Sequence, residues 1–293
     1  MIGPLRWLVW ALQGVGIGVA NVIPGVSGGT MALVFGIYEK LISLLSDAAR
    51  AGVLLLRFDW KGVRRLMESI DWAFLLWLSL GVLVAPLLGA KLLPGLLESW
   101  PEQSRSLFFG LILGTLPIPW LRIRSKESRH IAVLIVAAIS SFMVVGISPL
   151  ETADPGLIKV FLAAALAICA MILPGVSGAY ILLIIGMYAP IFEAIDARNM
   201  TVIAVFALGA GVGLASFAVF LKWLLERAHD VTMAALVGLM AGSLRSLWPW
   251  LAGDRSLMSP DTGSTFPLIL ALGLTGLLIS GAMTWWEIRR KAA

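Results

Sequence analysis

Apolar residues fall into eight long stretches without a single charge. They are Trp7–Tyr38, Trp72–Ala90, Ser106–Leu121, Ile131–Leu150, Val160–Phe192, Asn199–Leu221, Val231–Leu244 and Ser264–Trp286. A helix crossing a hydrocarbon core of about 30 Å needs about 20 residues, so most of these read as single spans. Trp7–Tyr38 and Val160–Phe192 are too long, because each would run about 50 Å as one helix. Each is interrupted near its middle by a Pro-Gly pair, Pro24-Gly25 and Pro174-Gly175. Proline breaks the helical ladder and glycine permits the turn. Each half is short for a full crossing. The pattern predicts re-entrant hairpins that dip in, turn and leave on the same side, their backbone shielded by protein or lining a polar cavity.

The two long stretches also match each other at a constant offset of 150 residues, from Pro24 to Pro174. Pro24-Gly25-Val26-Ser27-Gly28, then Gly36-Ile37-Tyr38, returns as Pro174-Gly175-Val176-Ser177-Gly178, then Gly186-Met187-Tyr188. A weaker pair follows, Gly110-Leu111-x-x-Gly114-Thr115-Leu116 and Gly238-Leu239-x-x-Gly242-Ser243-Leu244. The chain therefore reads as a duplication. Residues 1–150 hold a hairpin (7–45) and spans at about 71–93, 105–121 and 130–149. Residues 151–293 hold a hairpin (158–195) and spans at about 199–225, 231–250 and 264–286. Three spans is an odd number, so the second half is inverted relative to the first.

The positions of the basic residues agree with that topology. With both termini inside, Arg50, Arg57, Lys61, Arg64 and Arg65 lie on the cytoplasmic side, as do Arg122, Arg124, Lys126, Arg129, Lys222, Arg227, Arg289, Arg290 and Lys291. Only Lys91, Arg105, Lys159, Arg198, Arg245 and Arg255 fall outside, as the positive-inside rule requires. Were the first hairpin one kinked span, the cluster from Arg50 to Arg65 would lie outside. The fold expected is an all-α polytopic membrane protein, an inverted repeat of two halves, each a re-entrant helical hairpin broken at Pro-Gly plus three transmembrane helices. Such repeats with broken helices are the signature of secondary transporters.

Composition narrows the function. Of 293 residues 59% are hydrophobic and 13% charged, about half the charge of soluble domains. That excludes a soluble enzyme, a disordered chain and a nucleic-acid binder, and the net charge of +5 is accounted for by the cytoplasmic loops. Cys169 is the only cysteine, which excludes a disulfide framework and a cysteine metal site. With only His130 and His229 present, a histidine metal site or catalytic triad is not expected, and the chain has no nucleotide-binding P-loop. No cofactor is expected. Arg6 before an apolar run looks like a signal peptide, but no A-x-A-like site follows, and the stretch is expected to be mature sequence.

The helix restarts after each Pro-Gly turn offer free N–H groups and a positive dipole end, an anion cradle suited to phosphate. The candidate binding residues there are Asn21, Gly25, Ser27, Gly28, Gly29 and Thr30 in the first copy and Gly175, Ser177 and Gly178 in the second. The same residues can simply make the turn and cap the helix, and Asn21 can cap its own hairpin. Inversion would bring the two tips together near the midplane. Arg245 and Arg105, at the outer ends of equivalent spans, are candidates for holding an anionic headgroup by paired hydrogen bonds, or for snorkelling to lipid phosphates. Glu39, at the end of the first hairpin, is a candidate coupling residue for a proton or cation, or a residue of the wetted interface.

The run Ala20-Asn21-Val22-Ile23-Pro24-Gly25-Val26-Ser27-Gly28-Gly29-Thr30, with Gly36-Ile37-Tyr38-Glu39, resembles the signature of the polyprenyl-phosphate transporter family. So do Leu173 to Gly178 with Gly186-Met187-Tyr188, and Gly238-Leu239-x-x-Gly242-Ser243-Leu244-Arg245. The second copy departs from the first at Ala179, Tyr180 and Ala189-Pro190. The resemblance implies a multi-pass protein of the bacterial cytoplasmic membrane. It would flip undecaprenyl phosphate, the lipid carrier of cell-wall precursors, from the outer to the inner leaflet. Its partners would be that lipid and the membrane, with no nucleic acid, and a homo-oligomer is compatible with the pattern. Two alternatives stand. One is a transporter of a small soluble anion. The other is a membrane undecaprenyl-diphosphate phosphatase, whose P-G-x-S motif continues with Arg where this chain has Gly28 and Gly178.

Overall fold

A computed structural model describes residues 3–22, 27–89, 99–148 and 155–292. The expected residues Pro24, Gly25 and Lys91 lie outside that set. The described chain is helical apart from its connections, with one isolated antiparallel bridge between Leu251 and Leu257. The first half contains α1 (Pro4–Val22), α2 (Gly28–Val34), α3 (Tyr38–Leu56), α4 (Trp60–Ser69), α5 (Trp72–Gly89), α6 (Pro101–Thr115), α7 (Pro117–Trp120) and α8 (Ser128–Val145). The second contains α9 (Leu157–Ile172), α10 (Gly178–Ile184), α11 (Tyr188–Asp196), α12 (Met200–Arg227), α13 (His229–Ser243), a 3-10 turn (Leu244–Leu247) and α14 (Phe266–Ala292).

The protein is a multi-pass membrane protein. Among the described residues three helices, Ser128–Val145, Met200–Arg227 and His229–Leu247, are long and apolar enough to cross, or up to five crossings if each bent pair counts as one. The expected span 105–121 is interrupted because Pro117 and Pro119 lack the N–H groups that would continue α6. Apolar side chains cover the outside as well as the core: Leu278 is 71% exposed and Val136 64%. That outer surface suits lipid rather than water.

Each hairpin has a second break that the spacing of Pro-Gly pairs does not predict. The short helices α2 and α10 end at Gly36 (φ 74°) and Gly186 (φ 72°). Gly36 N–H bonds to Leu33 and Ile37 N–H to Ala32, at 3.1 and 3.0 Å. Gly186 and Met187 repeat this with Leu183 and Leu182, at 3.1 and 2.8 Å. This paired closure needs a left-handed residue, which glycine adopts without strain. The repeated G-x-Y motif is therefore a helix stop, and α11 leaves α10 at 104°.

The chain folds back along α1. Gly28 meets Asn21, Gln13 Nε2 reaches the Phe35 carbonyl at 3.5 Å, and Lys40 Nζ stands 5.1 Å from the Trp10 ring centroid. Lys40 also lies over Phe74 and pairs with Asp71 at 2.7 Å, fixing the start of α3 against α5. Tyr38, Ile42, Phe74, Met233 and Met240 form the buried centre of the largest core cluster.

The long helices pack in pairs whose backbones touch through glycine. In α1 and α5, Gly14 faces the Leu78 carbonyl and Gly81 the Ala11 carbonyl. In α9 and α12, Gly209 faces the Phe161 carbonyl. Two further pairs cross between the halves: α6 packs on α14 with Gly110 against the Gly273 carbonyl, and α13 on α8 with Gly238 against the Leu134 carbonyl. Close approach through small residues is how helices associate without a water-driven hydrophobic force. A methyl at Gly238 therefore collides with backbone, whereas Gly211 has nothing within 4 Å. Gly238→Ala should lower the thermal midpoint in detergent, by an overpacking cost of about 1–3 kcal/mol. Gly211→Ala should hold or raise it, by up to about 1 kcal/mol of helix propensity.

Candidate functional site

The two broken helices meet at their tips. Ser27 caps α2 from an extended conformation (φ −121°, ψ 139°), and its Oγ accepts the Gly29 N–H at 3.2 Å. The same hydroxyl faces two carbonyls at the end of α9, Leu173 at 3.1 Å and Met171 at 3.2 Å. Thr30 Oγ1 accepts the Gly175 N–H at 2.8 Å. Asn21 Oδ1 accepts the Gly28 N–H at 2.9 Å, and Thr30 N–H returns to the Ser27 carbonyl at 3.0 Å. Ser27 and Thr30 are 2% and 1% exposed. Tyr38 adds a longer contact, its hydroxyl donating to the Ile172 carbonyl at 3.3 Å.

Glycine is demanded here by proximity. A Cβ on Gly29 would run into the Ile172 carbonyl, and one on Gly28 into the Asn21 amide. Gly175 has φ +83°, and a Cβ there would come within 2.7 Å of Met240 Cα and 2.8 Å of Ser243 Oγ. The second tip thus rests on α13 as well as on the first.

Among the described residues of the first cradle, the N–H groups of Gly28, Gly29 and Thr30 all have internal acceptors. Asn21 acts as the hairpin's own cap. The second is more open. Ser177 Oγ accepts Tyr180 N–H at a long 3.4 Å, while the Gly178 and Ala179 N–H groups carry no hydrogen bond among the described residues. Unsatisfied N–H groups at a helix start attract anions.

The other expected residues lie elsewhere. Arg105 Nη1 donates to the Leu251 carbonyl at 3.0 Å. Arg245 donates to the carbonyls of Phe142 and Arg255, both at 3.2 Å. Glu39 begins α3, half exposed, with Oε1 3.5 Å from His229 Nε2. His229 Nδ1 lies 3.1 Å from Asp230, which accepts the backbone N–H groups of Arg124 and Ser125 at 3.1 and 2.9 Å. Asn21, Ser27, Gly28, Gly29, Thr30 and Gly175 form one cluster, with Ser177 and Gly178 beside it. Arg105, Arg245 and Glu39 are not part of it. Gly25 lies outside the described residues.

Residue spacing alone singled out neither His229 as the partner of Glu39 nor Tyr180 as a contact residue. Tyr180 departs from the repeat, and that departure was the available signal. His130 lies in the first turn of α8, 1% exposed, its Nδ1 accepting the Glu127 N–H at 3.2 Å.

Comparison with known proteins bears on what this geometry serves. The profile of a family described as VCA0040-like, undecaprenyl phosphate translocase-like, matches residues 17–264. The chain belongs to this undecaprenyl phosphate translocase-like family. Among relatives of the family, a Polyprenyl-phosphate transporter of Vibrio cholerae serotype O1 is 40% identical over 248 residues, covering 84% of this chain and 79% of that protein. A Polyprenyl-phosphate transporter of Staphylococcus aureus is 29% identical over 259 residues, covering 82% and 86%. No solved structure matches the chain. The family match spans both hairpin tips.

The Thr30 to Gly175 bond allows a direct test of the tip contact. Thr30→Val keeps the side-chain volume and leaves a buried N–H without its acceptor, which costs about 1–3 kcal/mol. Its thermal midpoint should fall, and Thr30→Ser should recover most of the loss.

Proposed function

We propose that the protein moves polyprenyl phosphate, with undecaprenyl phosphate as substrate, from the outer to the inner leaflet of the bacterial cytoplasmic membrane. A phosphate headgroup cannot cross about 30 Å of hydrocarbon unaided, whereas its tail can stay in lipid. The observation that carries this reading is the contact of the Ser27–Thr30 segment with the second Pro-Gly turn, Thr30 on Gly175, inside a bundle with an apolar exterior. Two helix breaks facing each other offer the headgroup a polar stopping place midway. Membership of the family and the names of its relatives supply the lipid.

In this reading residues 1–150 and 151–293 are inverted halves, each a re-entrant hairpin and three spans, with both termini cytoplasmic. The fold-back along α1 and the equivalent α1–α5 and α9–α12 pairs support it. The α6–α14 and α13–α8 pairs then become the same contact twice, each half lending its last helix to the other. The Ser177-Gly178 tip, with its open N–H groups, receives the headgroup first. The Asn21, Ser27–Thr30 tip takes part once its contacts with the α9 end loosen.

Leaflet exchange of labelled undecaprenyl phosphate in proteoliposomes tests the proposal. Wild type should exceed empty liposomes, and Ser27→Ala and Ser177→Ala should each slow exchange about tenfold, the value of one hydrogen bond to a charged group. Uptake of inorganic phosphate without lipid exchange would point to a soluble-anion transporter. Phosphate release from undecaprenyl diphosphate would point to an enzyme.

Proton coupling belongs to the same proposal. Glu39, His229 and Asp230 form a continuous chain between the end of the first hairpin and the start of α13. A proton held there changes the charge that joins hairpin to bundle. Under an imposed pH difference wild-type exchange should accelerate. Glu39→Gln and His229→Gln should flatten that response, and an unchanged response in both variants would remove the coupling role.

A further inference from the structure

The segment after the 3-10 turn closes on itself. Leu251 pairs with Leu257, Ala252 N–H donates to the Ser256 carbonyl at 3.0 Å, and Arg255 between them has φ 67°. A side chain other than glycine in the left-handed region is a cost that the surroundings must hold in place. Two arginines do so from different elements: Arg105 of α6 through the Leu251 carbonyl at 3.0 Å, and Arg245 of the 3-10 turn through the Arg255 carbonyl at 3.2 Å. The strained residue is itself an arginine. Its guanidinium stands 4.2 Å from the centroid of the Tyr180 ring.

Three half-buried guanidinium groups thus gather around one short loop, and Arg105 and Arg255 are near enough to repel each other. Among the described residues no carboxylate pairs with any of them. Asp254, next in the chain, is turned to Ser256, accepting its N–H at 3.0 Å and its hydroxyl at 2.7 Å. Glu102 attracts Arg105 only through space. Each guanidinium has five N–H donors. Arg105 gives one to a backbone carbonyl and Arg245 gives two. The Nε of Arg245 is buried with no hydrogen-bond partner. Gly146 is what lets Arg245 lie in this position, since any Cβ there would occupy the space of the guanidinium. Concentrated, partly dehydrated positive charge with donors to spare is complementary to a compact, multiply charged oxyanion.

The third arginine connects this cluster to the second hairpin. Tyr180 is the third residue of α10, and its hydroxyl faces the carbonyls of Val145 at 2.8 Å and Ile147 at 2.7 Å. It therefore ties α10 to the end of α8 while its ring carries Arg255.

We propose that Arg105, Arg245 and Arg255 form a phosphate-binding site separate from the hairpin tips, which takes a phosphomonoester and signals its occupancy to α10 through the Arg255–Tyr180 contact. A phosphate oxygen is a stronger partner for a guanidinium than an aromatic face is. Binding draws Arg255 off Tyr180 and frees the helix that carries the Ser177 tip. That the phosphomonoester is a lipid headgroup rests on the function proposed above; the site itself rests on the three arginines.

Arg255→Gly is the informative variant, because glycine suits φ 67° and removes only the side chain. Purified full-length protein in nanodiscs would be titrated with undecaprenyl phosphate and, separately, with inorganic phosphate. Arg255→Gly should weaken lipid binding about tenfold or more while its thermal midpoint holds or rises. A merely structural arginine would lower the midpoint and leave binding alone. Arg255→Lys keeps the charge but loses the fork, and should fall between the two. Tyr180→Phe keeps the ring beneath Arg255 but loses the hydroxyl, which ties α10 to α8 and also bonds to Arg255. It should retain binding and change the exchange rate; an exchange rate equal to wild type would overturn the link to α10.

Wild-type affinity for undecaprenyl phosphate in both Arg255→Gly and Arg255→Lys overturns the site and leaves the proposed function standing if exchange persists. Binding of inorganic phosphate that is lost in Arg255→Gly, with no exchange of lipid by wild type, keeps the site and overturns the lipid reading. Lipid exchange by wild type, with inorganic phosphate competing only when Arg255 is present, supports both.

Discussion

A helix broken inside an apolar interior releases N–H and C=O groups that no water can satisfy. Every other feature of the centre follows from how those groups find partners. Here the first hairpin answers part of the second's need. The Thr30 hydroxyl takes the Gly175 N–H, and the Ser27 hydroxyl serves the carbonyls at the end of α9. The second tip is not a complete structure alone. The four glycine-packed helix pairs form the frame that holds the tips at this distance, and the tips bridge the frame across its middle.

This division of labour explains why the two copies of the repeat are not identical. The residue equivalent to Thr30 is Tyr180, and the residue equivalent to Gly29 is Ala179. Gly29 faces the Ile172 carbonyl and has no room for a Cβ, whereas Ala179 is exposed and has room. Thr30 reaches inward to the other tip. Tyr180, on the same turn of its helix, reaches outward to the end of α8. A symmetric protein would need each tip to supply the same hydroxyl to the other, and a threonine at both positions would leave the end of α8 without its tyrosine partner. Where the two copies diverge, Thr30 bonds to the other tip and Tyr180 bonds to the end of α8.

The apolar, all-helical, multi-pass character was legible because it depends on spacing and polarity, which a chain displays openly, whereas the span expected at 105–121 is interrupted at Pro117. The breaks at Gly36 and Gly186 were equally visible as a repeated G-x-Y, but an isolated glycine in an apolar run does not declare whether it packs or turns. Gly110 and Gly238 pack, and Gly36 and Gly186 turn. Only the backbone angle separates them. Which reading of the cradle applies was not legible. Asn21, Ser27 and Thr30 were expected as ligands of an anion or as caps of their own turn, and in the structure each has a protein partner. Which of two acceptors a buried N–H uses is decided by tertiary distance, and residue order carries no record of it. His229 was hidden for the same reason, lying 190 positions from Glu39.

The internal bonding of the described first-tip residues is compatible with transport, because hydrogen bonds in an apolar interior are exchanged rather than simply lost. Opening the tips into hydrocarbon would leave Gly175 N–H and the α9 carbonyls bare, at about 1–3 kcal/mol for each group. A phosphate oxygen is an acceptor as Thr30 Oγ1 is, and its charge makes it the stronger one. Under the proposed function, an arriving headgroup would take the Gly175 N–H from Thr30 Oγ1 and leave Thr30 a hydroxyl free to donate to the same anion. The carbonyls that Ser27 would leave behind are the remaining cost. In that reading the contact between the tips is one that an anion can replace, whereas a neutral lipid offers neither the acceptor strength nor the donor.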